Sequence, residues 1–457
     1  MAGYVIYVDD DGEGGYLAHV PALPGCAAHG VTREEATQRV TAVVNERLAK
    51  LGQRGEAIPQ EFLGPPARVE ETKDMILPED YSPVDPVEVP GFLGLMEESR
   101  QEMLAQVSGL APETLNWKPD ESSWSIREVL EHVSNAERWY ISRLTDWPRQ
   151  GLPRLAAIRQ WAIEKLSGIS ETERSRVTYN YQEEWTVRKA CRRMLEHERI
   201  TREWIARQLR AYACAHGANA AYLDSPGRTS RLEMPVVNKA RKDVGECLVY
   251  LERIEEAEYQ AHAADLPGCV ATGKTREEAL ARLPGAVKEA LEYLQRRGES
   301  LPEAFSTGPW LSRDSDHILP TDYEPLTAEE LLLFIPALEA SRRALITQVD
   351  GLPDQVLDWR AEGEPRTIRE LVEYVGTIDW WCMRCLEDWP REVFARLAAV
   401  RQMAVERLAN LTEAERSRVT VHALEEWTAR KVFRRFLEHE REHRDHIADI
   451  LRAYRRR

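Results

Sequence analysis

A chain of 457 residues is longer than one hydrophobic core needs, so several domains are expected. Apolar residues at 43% and charged ones at 30% exclude a disordered chain, and a formal charge of −16 argues against nucleic acid, whose binding relies on a basic surface and counterion release. No apolar run reaches transmembrane length and no basic-then-apolar leader opens the sequence, which predicts no membrane partner and a cytoplasmic location. The 7 cysteines, at unrelated spacings, do not form a disulfide framework. Cys382 and Cys385 have CxxC spacing but lie in a helical pattern with no second pair, and read as core residues.

In chain order, Tyr4–Val8 alternates β-branched and aromatic residues, an acidic glycine-rich run from Asp9 to Gly15 turns the chain, and Tyr16–Val20 returns as the second arm of a hairpin. Pro24, Gly25 and Gly30 punctuate the next extended piece. Thr32 with Glu35 then reads as a capping box opening a helix that runs to about Gly55. Helical spacing resumes at Phe92, Leu95, Met96, Met103 and Val107. Ser125 with Glu128 is a second capping box, opening a helix from Ile126 to about Leu144. Further helices are predicted over about Leu155–Leu166 and from near Thr186 to about Leu209.

The whole plan then repeats. Leu23-Pro24-Gly25-Cys26 returns as Leu266-Pro267-Gly268-Cys269, Thr32–Ala36 as Thr275–Ala279, Glu173–Thr178 as Glu415–Thr420, and His197 as His439. The offset stays nearly constant, so the order is A-B-A′-B′.

The A pattern, a strand pair followed by LPGC, a glycine and T-x-E-E-A opening a helix, resembles the HicB-like antitoxin domain. That resemblance implies a small α+β unit that binds a protein toxin and self-associates. The DNA-binding segment usual in such antitoxins is not seen here. The B pattern, from Leu115-Asn116-Trp117-Lys118-Pro119 through Trp124–His132 to Glu184-Trp185-Thr186 and Leu195-Glu196-His197, resembles the DinB-like (YfiT-like) four-helix bundle. It implies one histidine on the second helix and an HxxxH pair on the fourth, which together bind a divalent metal such as zinc or nickel for thiol S-transfer or hydrolysis.

The ligand pattern transfers in part. His132 and His197 match in the first copy, with Thr201 in place of the last ligand. His439 and His443, at i and i+4 on one helix face, match in the second copy, with Tyr374 in place of His132. Two histidines fall short of the three protein ligands of a catalytic zinc site, so the favoured reading is that both sites have decayed. Exchange of helices between the bundles would complete a His132, His439, His443 set, but the short loops argue against the hinges it needs. His446 reads as solvated. Trp124, Trp139, Trp185, Trp380, Trp381 and Trp427 read as core, Asp9-Asp10-Asp11 as a solvated turn, and His19 and His262 as structural.

The expected fold is α+β and multi-domain: HicB-like units at 1–62 and 244–305, DinB-like up-down bundles at 89–212 and 331–457, and linkers at 63–88, 213–243 and 306–330. The expected role is a cytoplasmic binding or scaffold protein for a protein or small-molecule partner. Its halves are expected to pair as an internal pseudo-dimer. The alternative is a metal-dependent thiol transferase or hydrolase, and completeness of the ligand set discriminates between the two.

Overall fold

The computed structural model describes residues 3–10, 15–72, 76–148, 151–181, 183–216, 236–237, 247–255, 258–299, 310–315, 318–422 and 425–457. Most of the tether at 213–243, as well as Asp11 of the acidic turn, lies outside the described residues. Two compact units emerge: unit 1 joins Met1–Trp147 to Pro390–Arg457, and unit 2 is Pro148–Trp389.

The strands are β1 Val5–Asp10, β2 Tyr16–His19, β3 Ala27–Gly30, β4 Arg68–Glu71, β5 Thr178–Asn180, β6 Glu183–Trp185, β7 Cys247–Glu255, β8 Glu258–Ala263, β9 Val270–Gly273, β10 Trp310–Ser315, β11 Thr420–His422 and β12 Glu425–Trp427. The long helices are α1 Arg33–Gln53, α2 Val89–Val107, α3 Ile126–Ser142, α4 Gly151–Ser167, α5 Val187–His216, α6 Arg276–Arg296, α7 Ala328–Val349, α8 Ile368–Arg384, α9 Val393–Ala409 and α10 Ala429–Arg456. The same order of elements is thus used in both halves. None of the described helices is long and apolar enough to cross a membrane.

Unit 1 begins with a sheet in the order β3-β2-β1-β4, antiparallel except for β4, which pairs parallel with β1. Helix α1 covers one face, burying Val40 and Val44 against Ile6, Val8 and Ala18. The Thr32 side chain accepts from the Glu35 amide and caps this helix. Gly30 is required just before it, because a Cβ there would strike the backbone of Ala36. Strand β4 and the buried Asp80 make structure out of the stretch expected to be a linker at 63–88.

The bundle of unit 1 departs from a contiguous segment. Helices α2 and α3 come from the first half and α9 and α10 from the second; α9 packs on α3, and α10 on both α2 and α3. Its core joins Met96 and Tyr140 to Phe433 and Phe436, and, further along, Val129 and Val133 to Leu397 and Ile447. The helices expected to form one bundle at 89–212 are therefore divided between two units.

Unit 2 repeats the plan. Its sheet runs β10-β7-β8-β9, with α6 across it, and its bundle combines α4 and α5 with α7 and α8. In the core, Leu155, Ile205 and Leu209 meet Leu345, Leu371 and Val375. Strand β10 again lies in a stretch expected to be a linker, at 306–330.

The two crossing points share a sequence feature. The chain passes from one unit to the other at Trp147-Pro148 and again at Trp389-Pro390. A residue before proline is biased to extended backbone, which suits a chain leaving its bundle at these points. Short connections of this kind favour exchange because they prevent closure on the same segment. Short loops therefore do not forbid the exchange of helices between the bundles.

Candidate metal centre

Helix α10 is capped by Thr428, whose side chain accepts from the Lys431 amide. The buried Trp427 and the short β11–β12 hairpin precede it. From that start, His439 and His443 fall one turn apart on the face turned toward α3. Helix α3 opens with a complete capping box between Ser125 and Glu128, which fixes its first turn and places His132 two turns in.

The three imidazoles converge. His439 Nε2 lies 3.0 Å from His132 Nε2 and 3.0 Å from His443 Nε2. One ligand atom from each of the three lies within 4.8 Å of the others. His439 and His443 are buried and His132 is half-buried. Burial holds all three imidazoles below the ordinary histidine range; His443 is lowered to about 3, with His132, His446 and Arg435 adding to the effect. They are therefore neutral, the form that ligates a metal.

The donor set fits a divalent cation. Three lone-pair nitrogens facing one point leave hydrogen-bonding capacity that they satisfy poorly among themselves, and a cation with bonds of about 2.0–2.1 Å to nitrogen would use all three. The mouth of the site is aromatic. The Trp124 ring lies parallel to His443 at 6.3 Å and tilted against His132 at 4.9 Å, and Trp124 is 40% exposed. His446 is half-buried, 6.2 Å from His443 and 6.3 Å from Trp124, so it belongs to the rim and is not simply solvated.

A buried ionic quartet braces the bundle. Arg100 of α2 and Arg401 of α9 each bridge Glu137 of α3 and Glu440 of α10, so each of the four helices contributes one charge. Glu440 is thereby committed to the quartet, directly beside His439 in sequence. On the other side of His439, Glu438 accepts from His19 Nδ1 at 2.9 Å and from Arg434 at 2.8 Å. Arg434 in turn donates two hydrogen bonds to the Asp80 carboxylate. His19 also faces Asp9 at 3.4 Å. This chain of charges ties the sheet of unit 1 to the ligand-bearing helix. The carboxylate of Glu438 is held at about 2: burial opposes ionisation, and Arg434 and His19 outweigh it.

Unit 2 has an equivalent frame without the ligands. Arg159 and Arg342 bridge Glu198 and Asp379 in an equivalent quartet. His262 bonds Glu196 as His19 bonds Glu438. Yet His197 faces the Tyr374 ring at 6.3 Å, and the buried Thr201 stands where His443 would be. His197 is therefore not joined with His132. Among the described residues only the unit 1 triad forms such a cluster.

Three further features escaped the reading of the sequence. Trp124 was assigned to the core, yet it covers the site. His446 sits at the rim. The quartets had a detectable signal: arginines and carboxylates recur at matching positions of both copies on otherwise apolar helix faces. Cys382 and Cys385 are buried and free.

The DinB superfamily profile matches residues 95–205. A 58-residue stretch, 13% of this chain, is 33% identical to the UPF0150 protein Ta0767 of Thermoplasma acidophilum and covers 84% of that protein. Through that stretch the chain belongs to the UPF0150 family, and it holds a DinB-superfamily domain. No solved structure matches it significantly. The DinB-superfamily segment starts in α2 of unit 1 and ends in α5 of unit 2, so the sequence domain and the spatial bundle do not coincide. UPF0150 proteins are HicB-like, and DinB-superfamily bundles are metal-dependent, which agrees with a histidine triad in unit 1.

Proposed function

We propose that unit 1 is a divalent-metal enzyme centre of the DinB/YfiT type, acting in thiol S-transfer or hydrolysis, and that unit 2 is its non-catalytic sibling. The observation that carries this is the meeting of His132, His439 and His443 Nε2 atoms from two different halves of the chain. Ligand completeness was the discriminator between scaffold and enzyme, and with helices exchanged it favours the enzyme. Three neutral imidazoles and an open fourth position suit zinc, with nickel the other ion to assay.

A divalent ion held there would supply Lewis-acid activation of a thiol or a water. The chain's own part is to hold three imidazoles neutral, to fix α10 through Glu438 and the quartet, and to admit substrate past Trp124 and His446. For unit 2, the replacement of His132 by Tyr374 and of His443 by Thr201 favours a binding or scaffold role. On this reading the chain is a duplicated gene product whose halves act as an internal dimer, soluble in the cytoplasm, with no nucleic-acid partner. The UPF0150-like units, which tie to α10 through His19 and to α5 through His262, are its surfaces for a protein partner.

The test is elemental analysis of the purified chain for zinc, nickel, iron and manganese. About one ion per chain is expected. His132→Ala and His439→Ala should both lose it, although these residues lie in different halves, while His197→Ala should retain it. Metal that survives both triad substitutions would sink the assignment.

A further inference from the structure

We infer that unit 2 carries a second, metal-independent ligand site, for a small aromatic carboxylate, built around Arg366. The first observation is the set of residues that unit 2 carries where unit 1 has its triad and rim. Where unit 1 has His132, Trp124 and His446, unit 2 has Tyr374, Arg366 and Trp204 at the matching positions. A guanidinium and two large aromatic rings occupy these places.

The second observation is the cavity beside them, about 630 Å³ in volume. Trp204, Gln208, Lys274 and Arg366 are among its lining residues, and its size lies within the range of small-molecule sites. The third is the state of Arg366 itself. It is half-buried, with its guanidinium carbon 4.4 Å from the centre of the Tyr374 ring. Among the described residues no carboxylate pairs with it. The other lining arginines are committed: Arg207 is bonded twice to Glu364, and Arg282 is paired with Glu278. Of the remaining charged lining residues, Lys274 and Arg366 outnumber Glu258.

These facts specify the ligand's chemistry. A guanidinium lying over the Tyr374 ring satisfies none of its N–H donors there, and their fork geometry matches a carboxylate. A half-buried cation without a counter-charge gains from an incoming anion more than a solvated one does. The half-buried Trp204 offers a flat apolar surface for a ring. Trp124, the counterpart of Arg366 in unit 1, offers no cationic donor, so the two units would not share this ligand.

The experiment uses the full chain after chelator treatment, with benzoate as the probe, followed by ligand-observed NMR and calorimetry. Benzyl alcohol and inorganic phosphate are the controls. Saturable benzoate binding in the millimolar range or tighter is expected, with each control at least tenfold weaker. Arg366→Ala should weaken benzoate at least tenfold, Arg366→Lys should recover part of the loss, and His439→Ala should change nothing. A thermal melt of Arg366→Ala separates loss of the site from loss of the fold, and Trp204→Leu provides a second variant, expected to weaken benzoate while sparing phosphate. The inference is overturned by absence of saturable benzoate binding, by equal binding of benzyl alcohol or phosphate, by unchanged binding in a folded Arg366→Ala protein, or by loss of binding in His439→Ala. The last outcome would place benzoate at the triad and would leave the metal assignment standing.

Discussion

The two bundles share an order of helices, a capping box at the start of α3 and of α8, and a buried four-charge brace, and at one end they differ in the side chains that meet between the helices. Unit 1 presents His132, His439 and His443 to one point; unit 2 presents Tyr374, His197 and Thr201 at the corresponding places. What both copies keep is what holds the helices in register. What only one keeps is what would bind a metal. The brace is therefore a property of the fold, and the triad a property of one site carried on it.

The strongest way to break this contrast is to erase it. If the frames are equivalent, Tyr374→His with Thr201→His should complete a triad with His197 in unit 2, and the metal content should rise from about one ion per chain to about two. Three well-placed imidazoles suffice for a zinc-type site when the surrounding helices hold them still. A content that remains at one ion would show that the frame of unit 2 has drifted and that more than ligand identity separates the units.

The braces should respond alike. Arg401→Ala in unit 1 leaves Glu137 and Glu440 short of a partner, and Arg159→Ala does the same to Glu198 and Asp379. Uncompensated buried charge costs about 3–5 kcal/mol, so each variant should lower the unfolding free energy by that amount in denaturant titration. A loss below about 1 kcal/mol, the size for exposed ion pairs, would mean that the quartet is solvated in solution.

Much of this architecture was legible in the sequence. The repeated LPGC and T-x-E-E-A segments, the Ser125 box and the periodicity of α3 and α5 placed the main elements closely. The i and i+4 spacing of His439 and His443 gave half of the site. Strands β4 and β10 were missed because Arg68–Glu71 and Trp310–Ser315 carry little apolar alternation and are held by parallel pairing with β1 and β7. The pairing of His132 with His439 is not legible in the sequence, since periodicity tells which face of a helix is apolar and not which partner covers it. The Trp-Pro steps at 147–148 and 389–390 were the local clue. Trp124 illustrates the same limit: its composition suits a core, and only the position of α10 makes it a lid.

The gentlest probe of the comparison is pH, applied to the metal-free protein. His439 and His443 are depressed in the fold, chiefly by burial, with His443 at about 3, against about 6.5 when unfolded. Below pH 6.5 the unfolded chain takes up protons that the folded chain refuses, so this stability is present above 6.5 and is lost as pH falls toward 3. His197 gives unit 2 the same slope, but from one imidazole. His19 and His262 act in the opposite sense: burial lowers them, and contacts with Glu438 and Glu196 raise them overall, so their contribution is present below pH 6.5 and is lost as pH rises through their folded values. Each buried imidazole contributes up to about 1.4 kcal/mol per pH unit of titration. Between pH 7 and pH 5 unit 1 should therefore lose more stability than unit 2, and His443→Gln should narrow the gap. Hydrogen exchange resolved between α10 and α5 would read both slopes in one sample. Equal slopes would show that the triad imidazoles are hydrated in the metal-free protein and that burial is not what keeps them neutral.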